Sequence, residues 1–196
     1  FLLVGLVVGR LGADMTSAHA IAMGLASFTT MGVLGISSAT AVRVGRAIGA
    51  RDDGGPRRAG VVGVGLAVLY MSVCAATFVA FAPNLAALFT PDERVQGVAV
   101  HLIRIAAAFQ LADGLQTIAA GALRGLKDTR LPMILAAIGY WAVGFPVAWA
   151  LGLHFGYGAE GVWVGLALSL ATAAVLLVTR FWVLSARAIA AHPQAA

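Results

Sequence analysis

The residue best able to do chemistry in this chain is Asp113, an acid inside the long apolar run from Val95 to Leu123. Gln110, Gln116 and Thr117 stand three or four residues from it. At about 100° per residue all three fall within roughly 60° of Asp113 on one helix face, while Arg104 falls on the opposite side. An acid at the centre of a membrane helix costs roughly 2.5 to 3.5 kcal/mol on insertion scales, so its presence calls for a function. Asp113 is therefore expected to bind a cation or a proton, with Gln110, Gln116 and Thr117 as a supporting polar stripe. The competing reading is a structural acid hydrogen-bonded to a neighbouring helix. Arg104, nearer the outer end of the run, is expected to snorkel outward.

Other chemistries lack their residues. His19, His101, His154 and His192 are scattered without metal-ligand spacing, so no metal site is expected. His19 is expected to satisfy a hydrogen bond near a helix end. Gly60, Gly63 and Gly65 do not complete a dinucleotide fingerprint, and Asp52-Asp53 reads as a solvated loop. There is no HExxH, no GxSxG and no second acid within a span, which argues against an intramembrane hydrolase. The single cysteine, Cys74, lies in an apolar run and excludes a disulfide within the chain.

These groups have to be held by elements that suit a bilayer. Of the 196 residues, 61% are hydrophobic and 11% charged, where soluble proteins carry about 25% charged residues. An all-α, polytopic membrane bundle follows, because a spanning helix takes about 20 residues and the length holds five or six of them. Complete spans are expected over about 18–42, 59–82, 95–123, 131–153 and 159–184. Phe1 to Gly9 is too short to cross and does not begin with Met; it is expected to be the remnant of a further helix, so the chain reads as a fragment.

Between the spans, Gly54-Gly55-Pro56 breaks one connection, Pro83-Asn84 begins another, and Leu85 to Phe89 is expected to lie as a short helix at the interface. Asp128 or Thr129 is available to cap the next helix. Pro146 should kink its span by removing one hydrogen bond and clashing with the carbonyl of Ala142. Glycine pairs four residues apart, Gly5/Gly9, Gly45/Gly49, Gly121/Gly125 and Gly161/Gly165, have the spacing of close helix contacts. Ser27, Thr29, Thr30, Ser37, Ser38 and Thr40 make the first complete span unusually hydroxylated, for packing or for a wet cavity. Trp141, Trp149, Trp163 and Trp182 suit interfacial anchoring or core packing equally.

Alternating the spans places Arg43, Arg46, Arg51, Arg57, Arg58, Arg124, Lys127, Arg130, Arg180 and Arg187 toward one side. Arg10 and Arg94 fall on the other, so the first side is assigned to the cytoplasm. The net charge of +5 is thus a topology signal. Its basic residues are not interleaved with stacking aromatics, and no nucleic-acid partner is expected.

Two stretches carry a family resemblance. Ser17-Ala18-His19-Ala20-Ile21-Ala22 followed by Ala41-Val42-Arg43-Val44-Gly45-Arg46-Ala47-Ile48-Gly49-Ala50 resembles the seventh-to-eighth helix region of MATE (multidrug and toxic compound extrusion) transporters. Phe109-Gln110-Leu111-Ala112-Asp113-Gly114-Leu115-Gln116, running into Gly121 to Arg130, is similar to their tenth helix and following cytoplasmic loop. The combination is most similar to the NorM-type branch, and the likeness extends over nearly the whole chain. Where the family has a His-Gln pair, this chain reads His19-Ala20.

The resemblance implies a twelve-helix antiporter of two lobes in the plasma or inner membrane. This chain would be the C-terminal six-helix lobe, 1–196, with its first helix truncated. It implies no enzyme and no cofactor, and partners limited to small organic substrates, the bilayer and the N-terminal lobe. Asp113 matches the family's tenth-helix acid, associated with cation or proton binding. The expected activity is export of organic, cationic drugs or toxic compounds in exchange for H+ or Na+. The alternatives are a non-transporting membrane scaffold subunit, in which Asp113 only locks helices together, and a lipid-linked oligosaccharide flippase of a related superfamily.

Overall fold

In hydrocarbon a backbone can satisfy its polar groups only internally, and the computed structural model shows these apolar stretches as long helices. It describes Gly5, Val8, Gly9 and residues 12–190, with side chains through Ala186. The helices are α1 (Ala13–Gly49), α2 (Gly55–Phe89), α3 (Glu93–Gly125), α4 (Arg130–His154) and α5 (Gly158–Ala190). All five are long and apolar enough to cross a membrane. No strand occurs among the described residues. Most of Phe1 to Gly9 lies outside them, as do Arg10 and the side chain of Arg187.

Helices α1, α3 and α5 begin at the same end of the bundle and α2 and α4 run back between them. Contacts rise in parallel along α1 and α3, from Thr29 with Gln110 to Ser37 with the Thr117 carbonyl. Helix α3 is the centre, packed against α1, α2 and α5. Near its start a core forms from Ile21, Phe78, Leu102, Ile103 and Trp163, and near its end another from Val44, Leu123, Leu177 and Phe181. Outward side chains such as Phe28, Met31, Leu69, Leu88, Met133 and Val175 are large, apolar and exposed, the reverse of a surface built for water. Of the tryptophans, Trp163 is fully buried, Trp141 and Trp149 face outward, and Trp182 stacks under the Arg57 guanidinium at 4.6 Å.

Small residues bring the backbones together at only some of the spaced pairs. A Cβ at Gly121 would overlap Ser37 of α1, and one at Gly125 would meet the Ala41 carbonyl and Val44. Gly161 and Gly165 press likewise on the backbone of Leu151 and Ala148 in α4. Among the described residues, nothing stands within 4 Å of a Cβ at Gly5, Gly9 or Gly49, and one at Gly45 meets the Gly125 carbonyl at 3.7 Å. The spacing alone does not tell which face of a helix meets a partner.

The turns after α1 and α3 are built alike. Arg51 (φ 53°) and Lys127 (φ 61°) take the left-handed conformation just past each helix. The amides of Asp52 and Asp128 then reach back to the carbonyls of Ala47 and Leu123, and those of Arg51 and Lys127 to Ile48 and Arg124, closing two Schellman motifs. Both turns read Gly-x-basic-Asp, Gly49 to Asp52 and Gly125 to Asp128. Each aspartate goes on to an arginine: Asp52 to Arg58 at 2.7 Å in the open, and Asp128 to Arg180 of α5 at 3.0 Å, mostly buried.

Two local expectations need correction, and a third gains detail. Pro83 does not end its helix: α2 continues to Phe89, and the disturbance is a bend at Phe81 (φ −115°, ψ 17°), so Leu85 to Phe89 is its last turns. Neither Asp128 nor Thr129 caps α4; Thr129 has helical angles and no capping bond, because the Asp128 carboxylate is held by Arg180. At Pro146 the coil widens. Gly139–Gly144 is a π-turn in which the Phe145 amide bonds to the Tyr140 carbonyl, one residue further back than in an α-helix. This π-turn lies directly before Pro146, which has no amide to bond the Ala142 carbonyl. A second π-turn, Ala150–His154, closes α4.

Candidate functional site

Helix α3 carries its polar residues to two different neighbours. Asp113 and Gln110 are buried and face α1. Thr30 Oγ1 donates to Asp113 Oδ2 at 2.8 Å, and Gln110 Nε2 donates to Thr29 Oγ1 at 2.6 Å. Gln116 turns to α4, where its Nε2 lies 2.6 Å from the Tyr140 hydroxyl. Thr117 gives the seam its backbone carbonyl, which accepts from Ser37 Oγ at 2.8 Å; no side-chain bond of Thr117 joins the cluster. Arg124 Nη2 reaches the same Ser37 Oγ at 3.3 Å. A polar seam thus runs along α1 and α3 from Thr29 to Arg124. Asp113 sits within it, about 14 Å along α3 from Arg104 and about 17 Å from Arg124 at 1.5 Å per residue.

The hydrogen-bond directions are constrained by proton count. Thr29 Oγ1 donates to the Ala26 carbonyl at 2.7 Å, so it accepts from Gln110, and the Gln110 amide is oriented with Oε1 turned away. Gln110 Oε1 is then buried with no partner among the described residues, and so is Gln116 Oε1. Thr30 Oγ1 has two acceptors for one proton, the Ala26 carbonyl at 2.9 Å and Asp113 Oδ2. Asp113 Oδ1 receives no hydrogen bond from a described residue. Two buried oxygen acceptors on α3, Gln110 Oε1 and Gln116 Oε1, therefore lack donors among the described residues, where buried acceptors are ordinarily satisfied.

The sequence-derived stripe is thus divided. Asp113 and Gln110 share one environment, Gln116 points elsewhere, and Thr117 takes part through its backbone. Sequence reasoning missed Tyr140, whose signal was a lone hydroxyl in an otherwise apolar stretch of α4. It noted the α1 hydroxyls without assigning Thr29 and Thr30 to the acid. His19 does satisfy a hydrogen bond near a helix start, its Nδ1 accepting from Trp163 Nε1 at 3.1 Å.

Comparison with known proteins agrees with the fold. A sequence profile of the MatE family matches residues 1–150. The multidrug resistance protein NorM of Burkholderia vietnamiensis is 44% identical over 97% of this chain and 42% of its own length. The probable multidrug resistance protein NorM of Rhizobium meliloti (strain 1021) is 45% identical, again over 97% and 42%. The chain thus spans about two fifths of the length of these relatives. An outward-facing multidrug resistance MATE family transporter of the MOP superfamily superimposes with a TM-score of 0.87 at 19% identity, covering 95% of this chain and 42% of that one. The Vibrio cholerae MATE transporter VcmN in its bent form gives 0.83 at 20% identity, over 97% and 42%. At such identities the likeness is one of fold.

Proposed function

The chain belongs to the MatE family of multidrug efflux transporters, and from that premise we propose that it forms the C-terminal lobe of a twelve-helix antiporter in the plasma or inner membrane. The lobe would couple export of organic cations to entry of H+ or Na+ at Asp113. The observation that carries this reading is the environment that Asp113 and Gln110 share against α1, where Asp113 Oδ1 receives no hydrogen bond and the buried Gln110 Oε1 has no partner among the described residues. Oxygen atoms without donors suit a proton or a hard cation.

The coupling follows from the shared proton of Thr30. With the carboxylate charged, the hydroxyl donates to Asp113 Oδ2. With the acid protonated, Asp113 donates to Thr30, whose own proton turns to the Ala26 carbonyl. Occupancy at α3 is thereby read by α1, and the difference in charge burial biases one packing of the helices over another. One elementary charge crossing 100 mV supplies about 2.3 kcal/mol, comparable with such a bias.

The test is Asp113→Asn in the full-length transporter, reconstituted in proteoliposomes under an imposed H+ or Na+ gradient. The amide retains size and hydrogen bonding but cannot hold a charge. Insertion, folding and drug binding should persist, while gradient-driven efflux falls at least about tenfold, equivalent to about 1.4 kcal/mol. Wild-type efflux at equal amounts of folded protein would mean that Asp113 is an interhelical lock and not an ion site.

A further inference from the structure

On the side of α3 away from Asp113, a groove of about 690 Å³ opens between α3 and α5. Arg104, Ala108 and Ala112 line it from α3, and Glu160, Ala167 and Ala171 from α5. A second hollow of about 420 Å³ continues it past His101 and Glu160 to Glu93 and Arg94, at the end where both helices begin. We propose that this groove is the binding site of one phosphatidylethanolamine molecule, with its phosphate at Arg104, its ammonium at Glu160 and an acyl chain along the alanines.

The order of groups along the groove matches the order along such a lipid. Glu160 stands in the first turn of α5, outermost. Arg104 comes next and the alanines lie deeper. At 1.5 Å per residue α3 is about 50 Å long, so about 10 Å extends beyond a 30 Å hydrocarbon core at either end. The Arg104 backbone, about 17 Å from Glu93, then lies about 7 Å inside the hydrocarbon. Helical side chains lean toward the N-terminus, which carries the guanidinium back up to the level of lipid phosphates.

The charges fit a headgroup that carries both signs. Arg104 forms no ion pair among the described residues, and Glu160 has only a loose contact of 3.9 Å with His101 Nδ1, both side chains more than half exposed. A purely anionic headgroup would satisfy Arg104 and be repelled by Glu160. A choline headgroup offers Glu160 no N–H donor, whereas a primary ammonium offers three. Below the charges, alanines leave the space into which an acyl chain fits, and the volume lies within the roughly 300–1,000 Å³ of ligand sites.

The experiment is native mass spectrometry of the purified polypeptide that carries residues 1–196, titrated with dioleoyl phosphatidylethanolamine, phosphatidylcholine and phosphatidylglycerol. The ethanolamine lipid should be retained best. Arg104→Gln should weaken its binding about tenfold, and Arg104→Lys should restore part of it. Glu160→Gln should abolish the preference over phosphatidylcholine and raise phosphatidylglycerol. Ala108→Phe should exclude all three, and if it does not fold, the two charge substitutions decide. Equal binding to wild type and Arg104→Gln, or a wild-type preference for phosphatidylglycerol, would overturn the assignment. So would displacement of the lipid by a transported organic cation, which would make the groove a substrate path.

Discussion

At the scale of residues, the contact between Thr30 and Asp113 couples two helices through one proton. Membrane-embedded side-chain hydrogen bonds average about 0.6 kcal/mol, so Thr30→Val is expected to cost about that much in detergent unfolding while strongly reducing gradient-driven efflux. Thr30→Ser retains the hydroxyl and should restore efflux. If Thr30→Val transports normally, α1 does not read the state of Asp113. The neighbouring Thr29 behaves differently, because its loss would leave both ends of the buried Gln110 amide without partners. Asp113 stood out in the sequence because an acid in an apolar run is costly wherever it packs. Thr30, Thr29 and Tyr140 did not, since hydroxyls are cheap in helices and many simply bond to their own preceding turn, as Ser38 and Thr77 do here.

At the scale of elements, the site depends on how closely α1 and α3 approach. Gly121 lies against Ser37 with no room for a side chain, so Gly121→Leu is expected to push the helices apart. The cost should be about 1–3 kcal/mol or more, read as a lower melting temperature in detergent and a loss of efflux. Gly49→Leu faces open space and should leave packing unchanged. The turn after α3 holds strain at Lys127 (φ 61°), so Lys127→Gly should stabilise the lobe by about 1 kcal/mol. The Arg180 to Asp128 pair at 3.0 Å fastens that turn to α5. No spacing rule links a loop aspartate to an arginine 52 residues on, which is why a capping role was expected for Asp128 in its place.

At the scale of the whole molecule, orientation follows from where the arginines gather. With Cys74 replaced by Ala, a cysteine introduced at Asp92 should be modified by an impermeant reagent in intact cells, and one at Asp53 should be spared. The reverse pattern would invert the bundle and place the α3 to α5 groove in the cytoplasmic leaflet. The 196-residue chain covers 42% of the NorM relative from Burkholderia vietnamiensis, and on the proposed two-lobe reading a substrate path between lobes needs both of them. The chain reconstituted alone is therefore expected to give no ion-driven efflux of an organic cation, and the full-length transporter to restore it. Measurable efflux by the chain alone would refute the two-lobe reading.

Composition and periodicity by themselves determined that this chain lies in a membrane, that it holds five helices of membrane length and that Asp113 needs an explanation. They could do so because bilayer thickness and the cost of an unsatisfied backbone or a buried acid act on local sequence. Tertiary structure alone decided which glycine pairs are contacts, that Pro83 bends its helix without ending it, that the coil before Pro146 widens into a π-turn, and that the stripe on α3 divides between α1 and α4. Those outcomes depend on which face of each helix meets another, and a helix presents its polar and small residues in the same pattern whatever stands opposite.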